Sequence, residues 1–236
     1  MEKGDLILIP VTLGGNETVR RVLPDFNREV IVSLKHFIVE QVRTARRFLK
    51  AVGHPVPIDD MVFYELNKHT DVMRIHTYLK PAEQGLSIGL LSEAGTPCVA
   101  DPGSLIVEQA HKKNIQVVPL VGPNSIILGL MASGFNGQHF VFHGYLPIDS
   151  GRRTKKIKEM EQAVYKQDQT QIFIETPYRN DKLLEALIGI LKPETKICVA
   201  ADLTMKSEFI KTLTVKQWGK MKVSLHKRPV VFLLYK

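Results

Sequence analysis

Residues 91–103 read Leu-Ser-Glu-Ala-Gly-Thr-Pro-Cys-Val-Ala-Asp-Pro-Gly. An apolar run, 88–91, leads in, and a helical pattern, 105–111, leads out. Between them stand small, polar, turn-forming residues, among them Ser92, Glu93, Gly95, Thr96 and Asp101. The stretch is too long and irregular for a simple reverse turn. In open α/β sheets ligands bind outside the carboxyl ends of strands, and a loop of this kind is where one would be held. Ordinary turn chemistry is the alternative: Asp101 suits the start of an Asx turn and Pro102 a first helical position. Three further polar or Pro-rich loops follow apolar runs, after Ile9, after Val121 and after Ile174. Parallel strands within each half would gather these loops at one end of a sheet, which favours a shared ligand over separate turns. After Val121, Asn124 or Ser125 caps a helix whose first amides could meet a polar or anionic group.

Several familiar chemistries lack their residues. No G-x-G-x-x-G follows the first apolar run. Gly129 and Gly134 have the spacing of a Walker loop, but Phe135 and Asn136 stand where Lys and Ser/Thr are required. No G-x-S-x-G elbow occurs. The two cysteines, Cys98 and Cys198, lie far apart and form neither a disulfide framework nor a zinc pattern. His139 and His143 are four apart on a strand-like segment without Cys, Asp or Glu beside them, so they read as structural and no metal is expected.

The elements that must position these loops follow from the hydrophobic pattern. Residues 6–9 form a strand buried on both faces. A short helix at 17–23 stops at Pro24, and 29–33 reads as a second strand. Residues 40–52 form a helix with Val42, Ala45, Phe48 and Leu49 on one side, Arg43, Arg46, Arg47 and Lys50 on the others, and Gly53 as C-cap. Strands are expected at 61–66 and 86–91, with a helix between, capped by Thr70 or Asp71 and running to about Gly85. A helix at 104–113 precedes a buried strand at 115–121, then a helix at 126–132. The second half repeats the alternation. Strands are expected at 140–146, 170–174, 196–201, 209–213 and 229–235. Helices are expected from 151 to about 165, at 181–191 and at 215–221. The first of these opens on Arg152, Arg153, Lys155, Lys156 and Lys158. The class is α/β with largely parallel cores. Two domains, 1–120 and 121–236, would form a ligand cleft.

The 236 residues are 44% hydrophobic and 24% charged, with a formal charge of +8. That composition is globular. The basic balance favours anionic partners and is compatible with nucleic acid, with solubility alone as the alternative. No apolar run approaches the ~20 residues that span a bilayer. The charged first residues lead straight into a strand-like run, unlike a secretory signal. The expectation is a cytoplasmic protein without a membrane segment.

Residues 91–103 also resemble the signature of the tetrapyrrole methylase superfamily. More narrowly they resemble its branch that methylates a cytidine ribose 2′-oxygen in small-subunit ribosomal RNA. Pro10 to Asn16 resembles the first-strand loop of that branch, and Tyr64-Glu65-Leu66-Asn67 its Tyr-His-Glu-x-Asn segment. Pro119 to Ser125 resembles its Pro-rich linker, Phe140 to Pro147 its Phe-x-Gly-Phe-Leu-Pro strand, and Glu175-Thr176-Pro177-Tyr178-Arg179 its Glu-Ser/Thr-Pro-His/Tyr-Arg loop. Order and spacing hold over almost the whole chain. The departures touch the substrate side more than the cofactor side. Glu93 stands where the branch has Asp, its Glu-Asp-Thr-Arg appears as Glu40-Gln41-Val42-Arg43, and the His of Tyr-His-Glu-x-Asn is absent. The branch also commonly continues into a small extra domain beyond the point where this sequence ends.

The resemblance implies a two-domain tetrapyrrole-methylase-like fold, S-adenosylmethionine in the cleft between the domains, and a homodimer. Pro10 would close one side of the cofactor pocket, and Ser92, Glu93, Ala94, Gly95 and Thr96 would line its methionine and ribose side. Asn124 and Ser125 would sit against the cofactor at the linker, and Thr176, Pro229 and Val230 near its adenine. Methyl transfer from a sulfonium is mainly a matter of alignment, but a hydroxyl acceptor must also lose its proton. Glu175 and Glu40 are candidate bases by residue type, with a carboxylate that ties down its own loop as the alternative for each. Arg43 and Arg179 suit phosphate oxygens, or else structural ion pairs. Three functions are compatible: a methyltransferase on RNA, a methyltransferase on a tetrapyrrole or other small acidic molecule, and a non-catalytic RNA-binding relative.

Overall fold

The computed structural model describes residues 2–67, 70 and 72–236. It divides into two compact units, Met1–Asn124 and Ser125–Lys236. The first alternates strands and helices: β1 (Leu6–Ile9), α1 (Val19–Val22), α2 (Asp25–Ser33), β2 (His36–Val39), α3 (Val42–Val52), β3 (Val62–Glu65), α4 (Val72–Ile75), α5 (Lys80–Glu83), β4 (Ile88–Leu91), α6 (Ser104–Lys112) and β5 (Val117–Pro119). The sheet has the order β3-β2-β4-β1-β5, and every pairing is parallel. Both faces are covered, as a parallel sheet requires. Ile9, Phe37 and Val39 pack with Ile31, Phe48 and Leu49, while Leu6, Ile38 and Leu90 pack with Leu79, Ile106 and Ala110.

Four expectations for this unit are corrected. Residues 29–33 are the second half of α2. Pro24 precedes that helix, and Asn27, Ile31 and Leu34 are buried at helical spacing; the β-branched run hid this 3.6-residue period. The helix expected at 40–52 starts at Val42, which leaves Glu40 on the link at the carboxyl end of β2. The strand near 115–121 is only Val117–Pro119 and lies at the sheet edge, half-exposed. The helix expected up to Gly85 is two single turns, α4 and α5; of its two candidate caps, Asp71 lies outside the described residues.

The second unit contains α7 (Ser125–Ser133), β6 (Phe140–Tyr145), α8 (Ser150–Gln167), β7 (Thr170–Ile174), α9 (Asn180–Ile190), β8 (Lys196–Ala201), β9 (Phe209–Thr214), α10 (Val215–Trp218) and β10 (Val230–Tyr235). Its sheet order is β6-β7-β10-β8-β9. Side chains alternate along β10. Val231 and Leu233 face Ile126 and Leu130 of α7, whereas Phe232 and Leu234 join Ile157 and Met160 of α8 and Leu187 of α9.

The expectation of a largely parallel core fails in this unit. Only β6 and β7 are parallel; β10 runs antiparallel to both β7 and β8, and β9 antiparallel to β8. Strand periodicity carries no direction, so apolar runs alone could not distinguish the two arrangements. The consequence for the site is direct. Val231 pairs with Ile174, so β10 begins beside the point where β7 ends.

Candidate functional site

In the first unit the loops after β1, β2, β4 and β5 emerge from one end of the parallel sheet, because all its strands run the same way. Three of them are tied together. Val11 N–H donates to the Gly95 carbonyl at 2.9 Å, and Asn124 Nδ2 donates to Thr96 Oγ1 at 2.6 Å. Gly122 lies against Pro10 so closely that a Cβ there would come within 2.3 Å of the proline ring. Gly95 has φ +71°, and a side chain at that position would also press on Leu13 and on the Pro123 carbonyl. Glycine suits both requirements, left-handed backbone and close approach.

The 92–103 loop is shaped from within. The Asp101 carboxylate accepts from Gly103 N–H at 2.7 Å and from Cys98 N–H at 2.9 Å, the Asx turn anticipated for it. This bracing holds Cys98 and Ala100 at φ +67° and +62°. The α6 helix begins at Ser104 with Gly103 before it, so Pro102 precedes the first helical position. Burial and the Asp101 charge push the Cys98 thiol up to about 11, which leaves it protonated and a poor nucleophile at neutral pH. Ser92 Oγ donates within the loop to the carbonyls of Ala94 and Gly95, both at 3.3 Å.

Carboxylates converge here. Glu93 is exposed and accepts from Thr44 Oγ1 of α3 at 2.7 Å, which links the loop to the helix that carries the exposed Arg43. Burial, then the charges of Glu93 and Asp101, raise the pKa of Glu40 above the usual carboxylate range. Burial raises that of Asp101 as well, against the N–H donors of Gly103 and Cys98. Glu40, Ser92 and Asp101 line one small cavity of about 10 Å³, roughly the room of one water molecule.

In the second unit, loop 175–179 is braced by its own residues. Glu175 Oε1 accepts from Thr176 N–H and from Arg179 Nη2, both at 2.6 Å, and from Arg179 Nε at 3.1 Å. The Glu175 side chain is 3% exposed and that of Arg179 34%. Antiparallel β10 brings Pro229 and Val230 beside this loop. Lys227 N–H donates to the Pro177 carbonyl at 2.9 Å, and Asn180 Nδ2 to the Arg228 carbonyl at 2.7 Å. Arg228 in turn pairs with Asp202 at 2.7 Å, while Asp202 N–H donates to the Pro229 carbonyl. Ser125 opens α7.

Pro10, Ser92, Glu93, Ala94, Gly95, Thr96, Asn124, Glu40 and Arg43 thus belong to one end of the first sheet or the helix beside it. Thr176, Glu175, Arg179, Pro229 and Val230 belong to one end of the second. Sequence reasoning missed Thr44, which anchors Glu93, and the Asp202–Arg228 pair, which fixes the start of β10. Thr44 lies two residues into a recognisable helix and carried a weak signal. Asp202 and Arg228 are 26 residues apart and carried none.

The fold defines a class. The methyltransferase CobJ superposes with a TM-score of 0.63 at 15% identity, covering 99% of each chain. Uroporphyrin-III-C-methyltransferase from Thermus thermophilus gives 0.53 at 17%, over 100% of this chain and 93% of that one. The profile of the family Tetrapyrrole (Corrin/Porphyrin) Methylases matches residues 3–218, and the chain belongs to that family. Among its relatives, the ribosomal RNA small subunit methyltransferase I of Vibrio cholerae is 30% identical over 90% of this chain and 69% of its own length. The protein of the same name from Bacillus subtilis is 32% identical over 89% and 68%. Among the described residues no helix is long and apolar enough to cross a membrane.

Proposed function

We propose that this protein transfers a methyl group from S-adenosylmethionine to a ribose 2′-oxygen of ribosomal RNA. One observation carries the proposal: the loops after β1, β4 and β5 are bonded to one another at the carboxyl end of a parallel sheet, in a chain aligned over nine-tenths of its length with relatives named as ribosomal RNA methyltransferases. The donor set fits the cofactor. Loop carbonyls and the carboxylates of Glu40 and Glu93 suit a molecule that carries ammonium and sulfonium charges.

Pro10, Ser92, Glu93, Ala94, Gly95, Thr96, Asn124 and Ser125 would hold its methionine and ribose, and Thr176, Pro229 and Val230 its adenine. When bound, S-adenosylmethionine supplies the electrophilic methyl group. The chain's residues then orient the acceptor and remove its proton. Glu40 is the better-suited base. Its raised pKa strengthens it as a proton acceptor, and it lines a cavity the size of a water that could relay the proton. Glu175 is committed to Arg179 and Thr176. Arg43 is exposed and suits a phosphate; Arg179 offers only the part of its guanidinium that faces away from Glu175. The protein would work in the cytoplasm as a homodimer.

Calorimetric titration with S-adenosylmethionine and with its demethylated product tests the cofactor half, and methyl transfer to unmodified small-subunit ribosomal RNA tests the substrate half. Expected is micromolar binding that Gly95→Val weakens by at least about a hundredfold, since valine there is strained and clashes with Leu13. Binding that Gly95→Val leaves unchanged would remove loop 92–96 from the cofactor site. Transfer to a tetrapyrrole and not to RNA would favour the small-molecule alternative.

A further inference from the structure

Resting on the RNA reading above, we propose that the first half of α8 is the surface on which the RNA's phosphates dock. The charge of this helix is segregated. Residues 150–158 hold Arg152, Arg153, Lys155, Lys156 and Lys158 without an acid, whereas 159–167 hold Glu159, Glu161 and Lys166. Solubility does not call for segregation, since cations spread along the helix would serve equally well.

The arrangement is also costly to the helix itself. Cations in the first turn of a helix, here Arg152 and Arg153, oppose the macrodipole. Arg152 with Lys155 and Lys156, and Lys155 with Lys158, are like-charged neighbours at i,i+3 and i,i+4. The N-cap Asp149 accepts from Arg152 N–H at 2.8 Å and is the nearest acid in sequence to Arg152 and Arg153, whereas Glu159 is the nearest to Lys155, Lys156 and Lys158. Among the described residues none of the five cations forms an ion pair; Arg153 Nη1 donates to the Ile148 carbonyl at 3.0 Å. On α3, by contrast, the basic residues are spread over the helix. Arg46 lies 4.0 Å from Asp59 and over the ring of Phe63, and Lys50 is in the last turn, where a cation is favoured.

Topology directs these charges. β6 and β7 are parallel, so α8, which joins them, must run back along the sheet. Its N-terminus therefore stands at the end where β7 passes into loop 175–179 and where β10 begins. Residues 150–158 extend about 13 Å from that end. The cations thus start from the same end of the second sheet as Thr176, Pro229 and Val230, the residues assigned above to the cofactor's adenine.

The test compares two triple variants of the full chain. Arg152→Gln/Lys155→Gln/Lys156→Gln removes three charges from the proposed surface. Lys166→Gln/Lys196→Gln/Lys216→Gln removes three exposed charges from the opposite end of the same sheet. Binding of an unmodified small-subunit ribosomal RNA transcript is measured against salt. The first triple should lower affinity at least about tenfold at 0.1 M salt and reduce the log–log salt slope by about 2 to 3. It should leave S-adenosylmethionine affinity unchanged and thermal stability equal or higher, because the removed charges opposed the helix. The second should bind RNA like the parent.

Equal losses in both triples would assign the effect to net charge and overturn the proposal. So would parent-like binding by the first triple, or a loss confined to binding of anionic phospholipid vesicles. A parent that binds RNA through α8 but transfers no methyl group would sink the enzymatic reading and leave the docking surface standing. A parent that methylates RNA with a KM untouched by the first triple would do the reverse. A parent that binds no RNA overturns both.

Discussion

The two units solve one problem differently. The first has a wholly parallel sheet, so its functional loops converge because every strand points the same way. They are held to each other by one backbone bond, Val11 to Gly95, by the close approach of Gly122 to Pro10 and by one uncharged side-chain bond, Asn124 to Thr96, while Asp101 shapes its own loop through the N–H groups of Gly103 and Cys98. The second has a mixed sheet, and its loop 175–179 meets residues 227–230 because β10 arrives from the opposite direction. There a buried ion pair, Glu175 with Arg179, and a second, Asp202 with Arg228, do the bracing. The charges differ too. The loop end of the first sheet gathers Glu40, Glu93 and Asp101. The loop end of the second neutralises its acids and adds the cations of α8. On the reading proposed above, the acids of the first would face the donor's ammonium and sulfonium charges, and the cations of the second the acceptor's phosphates.

Removing the bracing carboxylates should separate the units most clearly. Glu175→Ala takes away a 3%-exposed side chain, leaves the Arg179 guanidinium without its anion and the Thr176 N–H without its acceptor. Breaking a buried pair costs about 3–5 kcal/mol. With Arg179 one-third exposed to solvent the expected loss is about 2–3 kcal/mol, read as a lower midpoint in denaturant unfolding. Glu93→Ala, which removes an exposed acid bonded to Thr44, should stay within about 0.5 kcal/mol. A Glu93→Ala loss as large as that of Glu175→Ala would show that the loops of the first unit also depend on a charged brace.

The same contrast explains what could be read in advance. The strands at 170–174 and 196–201 and the irregular loop at 91–103 were legible, because short apolar runs and a dense cluster of turn formers each have one local cause. The α/β class and family followed from motif order. Direction was not legible. The apolar residues of β10 would alternate identically in a parallel strand, and the pairing of Val231 with Ile174 depends on the intervening chain. Nor could the run at 29–33 be assigned by composition, since its β-branched residues suit a strand while Asn27, Ile31 and Leu34 have the helical period. In the site, glycines and prolines marked the loops, but the roles of the carboxylates lay in contacts. Glu175 and Glu40 were equal candidates by type; the structure gives one to an ion pair and leaves the other among acids.

Close backbone packing is the second point of contrast. Gly122→Ala would put a methyl within 2.3 Å of the rigid Pro10 ring, which can yield only if the linker moves. Overpacking of this kind costs about 1–3 kcal/mol and should also weaken S-adenosylmethionine binding through displacement of Pro10. Gly137→Ala in the second unit meets nothing within 4 Å and should be close to neutral. Similar losses at both positions would show that the first unit's loops are no more tightly packed than a surface turn of the second.

The smallest effect concerns charge at the first sheet's loop end. Burial and the neighbouring Glu93 and Asp101 raise the pKa of Glu40 in the folded protein, so folding disfavours its ionised form. Below the ordinary carboxyl pKa both folded and unfolded chains hold the proton, and the group costs nothing. As pH rises, the unfolded chain releases its proton first, and the folded state loses stability until the raised pKa has been passed. Glu40→Gln removes that penalty. It should therefore raise the melting temperature at pH 7 and give no gain near pH 4, a difference read from thermal melts of parent and variant at the two values. Glu175→Gln should show no such gain at pH 7, because its partner is a cation and its removal breaks a pair. A Glu40→Gln variant less stable than the parent at pH 7 would mean that Glu40 has a stabilising partner, and the opposition in charge between the two loop ends would not hold.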